Sequence, residues 1–532
     1  MASEASRPHM APSGPSRPGA ATPRAPRGAP PTTPETFPDD SPDAPDASPL
    51  SERDAEEHVA RGCVRVGAPA RTGVELEWLV RRVDDPAAEV PAEAVRAALA
   101  PLHDTASPPA DPPCDAVLPG GGRLTREPGG QLEISSAPGA SLLACVEATG
   151  TDLARLREAL ASAGLEAAGL GLDPYRDPPR VLHHPRYQAM ESFFDRQSPG
   201  GRLIMRATAS VQISVDAGDD SGGPSGYRAR WALTHRLGPI LTAAFANSPV
   251  WRGRPTGWRS TRQALWTRLD PGRTRPFTPE AHPAPGSGGV GEGEDPRAAW
   301  ARYALDASLL CVRRGAPANW VAPPNRSFRS WLRGPTADRR APVLADLDYH
   351  LSTLFPPVRP RGWWELRMID AQPGDDWIVP LAVTSVLLDD PIAAEAARRA
   401  TEPLIRGGAN HAVPAFDLWL RAARHGPADP ELGPAVRACF AAADAALARL
   451  PGAGHLREAV ASFANRYPEH GRCPADDQLD ALGTPPGPPP RRARRAGRPP
   501  PAPSRPAAGP RPRDRTPRPD HPHRAAAKET PE

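Results

Sequence analysis

With 532 residues the chain is long enough for more than one domain. Its 74 prolines crowd towards the two ends, however, where Pro-rich polar sequence cannot bury enough apolar surface to offset its ordering entropy. Net charge is +3 and the basic charge is almost all arginine; Lys528 is the only lysine, so a P-loop is excluded and any phosphate falls to arginine, backbone amides or a metal.

Residues 1–57 are low-complexity Pro, Ala, Ser and Asp and are expected to be disordered, leaving 58–475 as one folded domain. Gly73 to Trp78 alternates with period two and predicts a strand. Glu127-Pro128-Gly129-Gly130-Gln131-Leu132-Glu133 carries a Pro-Gly-Gly turn. Leu142, Leu143, Val146, Leu153, Leu156 and Leu160 recur near the helical period. Ala209 to Val215 alternates as a second strand, followed by the loop-like run DAGDDSGGPSG. A helix is predicted over Ala229–Asn247, and a glycine-rich loop over 282–295. That loop lacks a G-x-G-x-x-G and a strand-to-helix context, so it is not a dinucleotide site. Trp364 to Ile369 is a third alternating strand, and Pro380 marks a helix start. Helices follow at Ile392–Leu404 and Ala435–Leu450. Residues 476–532 are Pro- and Arg-rich and are expected to be a disordered tail. Strands separated by long helices, with a helical C-terminal third, indicate a mixed α/β or α+β enzyme. Cys63, Cys114, Cys145, Cys311, Cys439 and Cys473 show no C-x-x-C pair or zinc spacing and are expected to be free thiols of a reducing cytosol. There is neither a run of about 18 apolar residues nor a secretory h-region.

The chemistry gathers on the strands. Residues two apart on a strand share a face, so Glu75 and Glu77 point one way and Val74, Leu76 and Trp78 the other. Either that face is a solvated edge, or the two carboxylates are ligands of a hard divalent cation that offsets their repulsion. Glu127 and Glu133 bracket the turn, and their faces cannot be counted through it. Ser210, Gln212 and Ser214 form a polar strand face, directed either to a ligand or to solvent. Glu365 and Arg367 share a face as well. They are either a local ion pair or a catalytic one, the carboxylate holding a cation and the guanidinium stabilising phosphoryl oxygens. Five carboxylates, an arginine and a glutamine on or beside strands suit magnesium-assisted phosphoryl transfer.

Several ordered motifs resemble those of the plant- and bacterial-type glutamate–cysteine ligases. They are EPGGQLEIS at 127–135, HPRYQAM at 184–190, TASVQISVD at 208–216, AFANSP at 244–249 and RQALWT at 262–267. YALD at 303–306, HLSTLFP at 350–356 and ELR at 365–367 follow. The DAQPGDDW run at 370–377 looks most like the bacterial branch assigned to ergothioneine biosynthesis. The resemblance implies an α+β, glutamine-synthetase-like carboxylate–amine ligase core, in which a curved antiparallel sheet lines a funnel with helices around it. It implies that ATP phosphorylates the γ-carboxylate of glutamate and that the amine of cysteine displaces phosphate. Glu75, Glu77, Glu127, Glu133, Gln212 and Glu365 match the family's Mg2+-binding positions, and Arg367 an arginine directed at phosphate. Arg262 and Trp266 match residues placed on glutamate; Arg186, Tyr187 and Tyr303 match positions near the cysteine pocket. Departures at Arg126, Ser136, Ala209 and Ser210 remove none of these residues. The implied partners are glutamate, cysteine and ATP in the cytoplasm, with neither membrane nor nucleic acid. Two other readings remain: the same glutamyl-phosphate chemistry with another amine, or a catalytically silent binding protein.

Overall fold

A computed structural model describes residues 49–67, 70–102, 116–276, 295–315, 318–334, 340–405 and 413–483. The 282–294 part of the glycine-rich loop, and the expected disorder of 1–48 and 484–532, lie outside the described residues.

The three alternating runs become the three longest strands of an antiparallel sheet. The strands are β1 (Thr72–Arg82), β2 (Ala116–Val117), β3 (Arg123–Arg126), β4 (Leu132–Ser135), β5 (Leu165–Ala168), β6 (Ser210–Val215), β7 (Val250–Trp251), β8 (Arg254–Pro255), β9 (Val358–Pro360) and β10 (Trp364–Asp370). Their order is β2-β3-β4-β1-β6-β10-β9, with β5 continuing along the far end of β1, and β7-β8 forms a separate hairpin. The pairings are antiparallel, and β10 breaks register between Leu366 and Ile369. The α+β class and the antiparallel sheet are as expected.

Burial on β1 follows its sequence: Val74, Leu76 and Trp78 are buried while Glu75 and Glu77 are partly open. The apolar face joins Ile134, Val211, Ile213 and Leu366 in one core with the surrounding helices. The predicted Leu142–Leu160 periodicity forms the helix Leu142–Ala161, capped by the Ser141 hydroxyl, which accepts from Ala144 N. The second predicted helix runs Tyr227–Ala244 and stops short of Asn247. Pro380 lies inside the first turn of Ile378–Asp389, where its missing N–H costs no helical bond. Residues 391–404 and 432–449 are helical as expected.

Both ends of the folded region reach past their expected limits. The helix Glu52–Gly62 begins inside the stretch assigned to the tail, with Ser51 Oγ accepting from Asp54 N. It is tied down by Arg329, which binds Glu56 at 2.6 Å, Asp306 at 2.5 Å, and Glu52. At the other end, Pro474–Ala481 is a helix rather than tail. Its Asp476 carboxylate accepts from Cys473 N at 2.9 Å and pairs with Arg259 at 2.8 Å. Low-complexity composition hid two short segments whose capping residues define helix starts.

Candidate active site

Directly opposed residues on antiparallel strands share a face. The register therefore lays three polar rows across the sheet on the face away from the core. Arg359, Glu365, Ser214 and Gly73 make the first. Gln212, Glu75, Ser135 and Arg123 make the second. Glu77, Glu133 and Thr125 make the third. The structure thus brings together Glu75, Glu77, Glu133, Gln212 and Glu365, which lie far apart in the chain.

The turn that carries Glu127 is clamped in place. Gly130 N donates to Glu127 O at 2.8 Å, and Gly130 adopts φ +90°, a conformation that favours glycine. A Cβ on Gly129 would stand 2.0 Å from the Arg206 carbonyl oxygen, so only glycine allows that approach. Gln131 accepts from Gly129 N at 3.0 Å and donates to Thr208 O at 2.9 Å, tying the turn to the entry of β6. Glu127 is half-buried beside Glu133, whose acidity it helps to set.

The charges on this face are unbalanced at one end and over-matched at the other. Burial, then Glu75, Glu127 and Glu77, push Glu133 well above the usual carboxylate range, although Ser135 and Thr125 donate to it at 3.0 and 3.2 Å. Glu75 is pushed up to about 7, by burial and then by Glu365. Burial would raise Glu365 too, but Arg359, Arg367 and Arg361 outweigh it and hold Glu365 well below that range. Arg359 grips it with two nitrogens at 2.5 and 3.0 Å, while Arg367 and Arg361 stand at 3.4 and 3.5 Å. Gln212 links the two ends: Arg367 donates to its amide oxygen, and its Nε2 donates to Glu77 at 2.8 Å. Among the described residues, no three His, Cys, Asp or Glu side chains are drawn into a ready-made metal cluster. The donor set is nevertheless all oxygen, and the raised Glu75 and Glu133 are carboxylates whose ionised forms a cation would stabilise.

The remaining residues fall into two groups, the first of which adjoins this face through Arg367. Arg262 donates to Arg367 O at 3.0 Å; its burial lowers its basicity from the usual arginine value, and Asp370 and then Glu77 only partly oppose that. Trp266 packs on Phe355 at 5.5 Å, and the Arg367 guanidinium lies 5.9 Å from the same ring. Arg186, by contrast, is directed at Ser352, with 3.0 Å bonds to its hydroxyl and carbonyl, and lies 5.2 Å from the Tyr349 ring. Tyr187 belongs to the same satellite apolar cluster as Met190 and Phe193. Tyr303 is buried and stacked 5.1 Å from Trp300.

Sequence reasoning missed Arg123, Arg359, Arg361, Asp370 and Phe355. Arg359 and Arg361 lie in and just after a three-residue strand too short to show alternation. Arg123 shares a row with Glu75 only through two cross-strand steps.

A sheet face that combines clustered carboxylates with arginines suits an enzyme that moves a phosphoryl group between anions. The chain belongs to glutamate-cysteine ligase family 2 (GCS2), whose model matches residues 71–497. It is 37% identical to glutamate–cysteine ligase EgtA of Mycobacterium tuberculosis over 444 residues, covering 82% of this chain and 92% of that one. The chloroplastic glutamate–cysteine ligase of Brassica juncea is 30% identical over 47% of this chain and 46% of its own. Among solved structures, the glutamate–cysteine ligase of Francisella tularensis in complex with AMP aligns at a TM-score of 0.45 and 9% identity, over 79% of this chain and 86% of that one.

Proposed function

We propose that the chain is an ATP-dependent glutamate–cysteine ligase acting in the cytoplasm and supplying γ-glutamylcysteine for ergothioneine biosynthesis. The observation that carries this reading is the arrangement of Glu75, Glu77, Glu133, Gln212 and Glu365 in three adjacent rows, with Arg367 bonded to Gln212 and 3.4 Å from Glu365, within a chain of that family. A γ-carboxylate oxygen of glutamate attacks the γ-phosphorus of ATP and ADP leaves. The cysteine amine then attacks the acyl carbon of the γ-glutamyl phosphate, loses a proton and expels phosphate.

Both first-step reactants are anions, so their approach needs positive charge. Arg367 supplies it from the protein, with its orientation set by Gln212 and Glu365. Magnesium, held by Glu75, Glu77, Glu127, Glu133, Gln212 and Glu365, would neutralise the phosphates and the carboxylates together. Arg262 and Trp266 take the glutamate side; Arg186, Tyr187 and Tyr303 take the cysteine side.

Glutamate-dependent ADP release from ATP and Mg2+, measured with a panel of amines, tests the reading. Release that needs glutamate and is completed only by cysteine supports it. Release that ignores cysteine but responds to another amine overturns the acceptor, and no glutamate dependence overturns the reaction.

A further inference from the structure

The last described helix, Pro474–Ala481, connects to the candidate site through hydrogen bonds. Gln478 Nε2 donates to Asn247 O at 3.0 Å and to Asn247 Oδ1 at 2.6 Å. Ala475 N donates to Ala246 O at 3.0 Å in the same loop, and Asp476 pairs with Arg259 at 2.8 Å. The helix therefore holds both pieces of chain that supply the hydroxyls described next, since Ser248 follows Asn247 and Ser260 follows Arg259.

Those pieces converge on one buried carboxylate. Asp370 accepts from Asn247 N at 2.9 Å, from Ser248 Oγ at 2.7 Å and from Ser260 Oγ at 3.0 Å. Its remaining partner is Arg262, whose Nη1 lies 3.7 Å away. The Asn247 side chain is pinned from the other side, donating to Gly169 O and Ala371 O at 2.9 and 2.7 Å. Arg262 itself is fed by the same network, its backbone N donating to Ser248 Oγ at 3.1 Å.

Arg262 is held where the register of β10 slips. Its guanidinium donates to Arg367 O at 3.0 Å and to Ile369 O at 3.5 Å, around the irregularity between Leu366 and Ile369. A bulge leaves ladder groups without their usual partners, and a buried carbonyl has to find another donor. The Arg262 Nε remains buried without a hydrogen-bond partner.

We infer that Asp370 and Gln478 are positioning residues for Arg262, through which the C-terminal helix sets the affinity for the substrate carboxylate. The inference rests on the proposal that Arg262 binds glutamate. A buried polar network whose members are each held by several bonds has one arrangement, and losing a member shifts the rest. Gln478 is half-exposed, so its loss loosens the Asn247 loop without opening the core.

The test is calorimetric binding of glutamate to the full chain, with Mg2+ and a non-hydrolysable ATP analogue present, beside binding of the analogue alone. Gln478→Ala should weaken glutamate about fivefold, and Asp370→Asn about tenfold or more, with analogue affinity within about twofold of wild type. The Gln478→Ala melting temperature should be unchanged. Asp480→Ala, on the exposed side of the same helix, should change neither affinity. Wild-type glutamate affinity in Gln478→Ala overturns the inference, as does a parallel loss of glutamate and analogue with a lower melting temperature. Failure of the unaltered chain to bind glutamate overturns the proposed function and this inference together.

Discussion

Glu365 is one buried carboxylate held by three arginines, and that charge balance makes its substitution a double test. Glu365→Gln removes a proposed cation ligand and leaves Arg359 buried against a neutral amide. ADP release should fall by about a hundredfold or more. Breaking the buried pair should also cost about 3 kcal/mol of stability in urea unfolding. An unchanged rate would show that Glu365 serves the fold alone. The faces of Glu75, Glu77, Gln212, Glu365 and Arg367 were legible in the sequence, because period-two alternation over six or more residues assigns them. The face of Glu133 was not. It became fixed only by register, since Thr125, Glu133 and Glu77 are successive cross-strand partners. Arg359 and Arg361, which with Arg367 set the acidity of Glu365, were illegible for a related reason: β9 is three residues long and ends in a proline.

At the scale of elements, the helix Tyr227–Ala244 backs the sheet and carries a histidine that titrates against the fold. His235 is buried, its Nδ1 is 2.9 Å from Trp231 O, and its ring lies 4.1 Å from the Trp231 ring. Burial lowers it to about 4. The unfolded chain takes up that proton near pH 6.5, so the contribution is fully present above about 6.5 and is lost as pH falls towards 4. The loss amounts to about 3 kcal/mol for the interval. Urea midpoints measured at pH 7 and pH 4.5 should drop more for wild type than for His235→Phe; equal drops would show that His235 is not buried neutral. Element boundaries were the least legible feature. The helices Glu52–Gly62 and Pro474–Ala481 sit beside Pro-rich sequence, and average composition masked their caps. This matters for the inference above, because the tail expected to be disordered from residue 476 includes Gln478, which reaches the Asp370–Arg262 network.

For the whole molecule, a net charge of +3 conceals a strongly acidic sheet face balanced by arginines brought in from β9, β10 and the Arg262 helix. Among the described residues, no helix is long and apolar enough to cross a membrane. Family membership and the antiparallel architecture were legible because the motifs fall in order along 71–497, on strands, turns and the ends of helices. Less legible was how the acceptor side is built. Of the residues proposed for that side, Tyr187 belongs to a satellite cluster that also packs against Phe355, over which the Arg367 guanidinium lies, a contact that no local pattern announces. The most direct test of the account is the mass of the product formed by the full chain from glutamate, cysteine, ATP and Mg2+. The expected product is γ-glutamylcysteine, formed in step with ADP. ADP formed with no glutamate–cysteine conjugate, or a conjugate only with another amine, would contradict it.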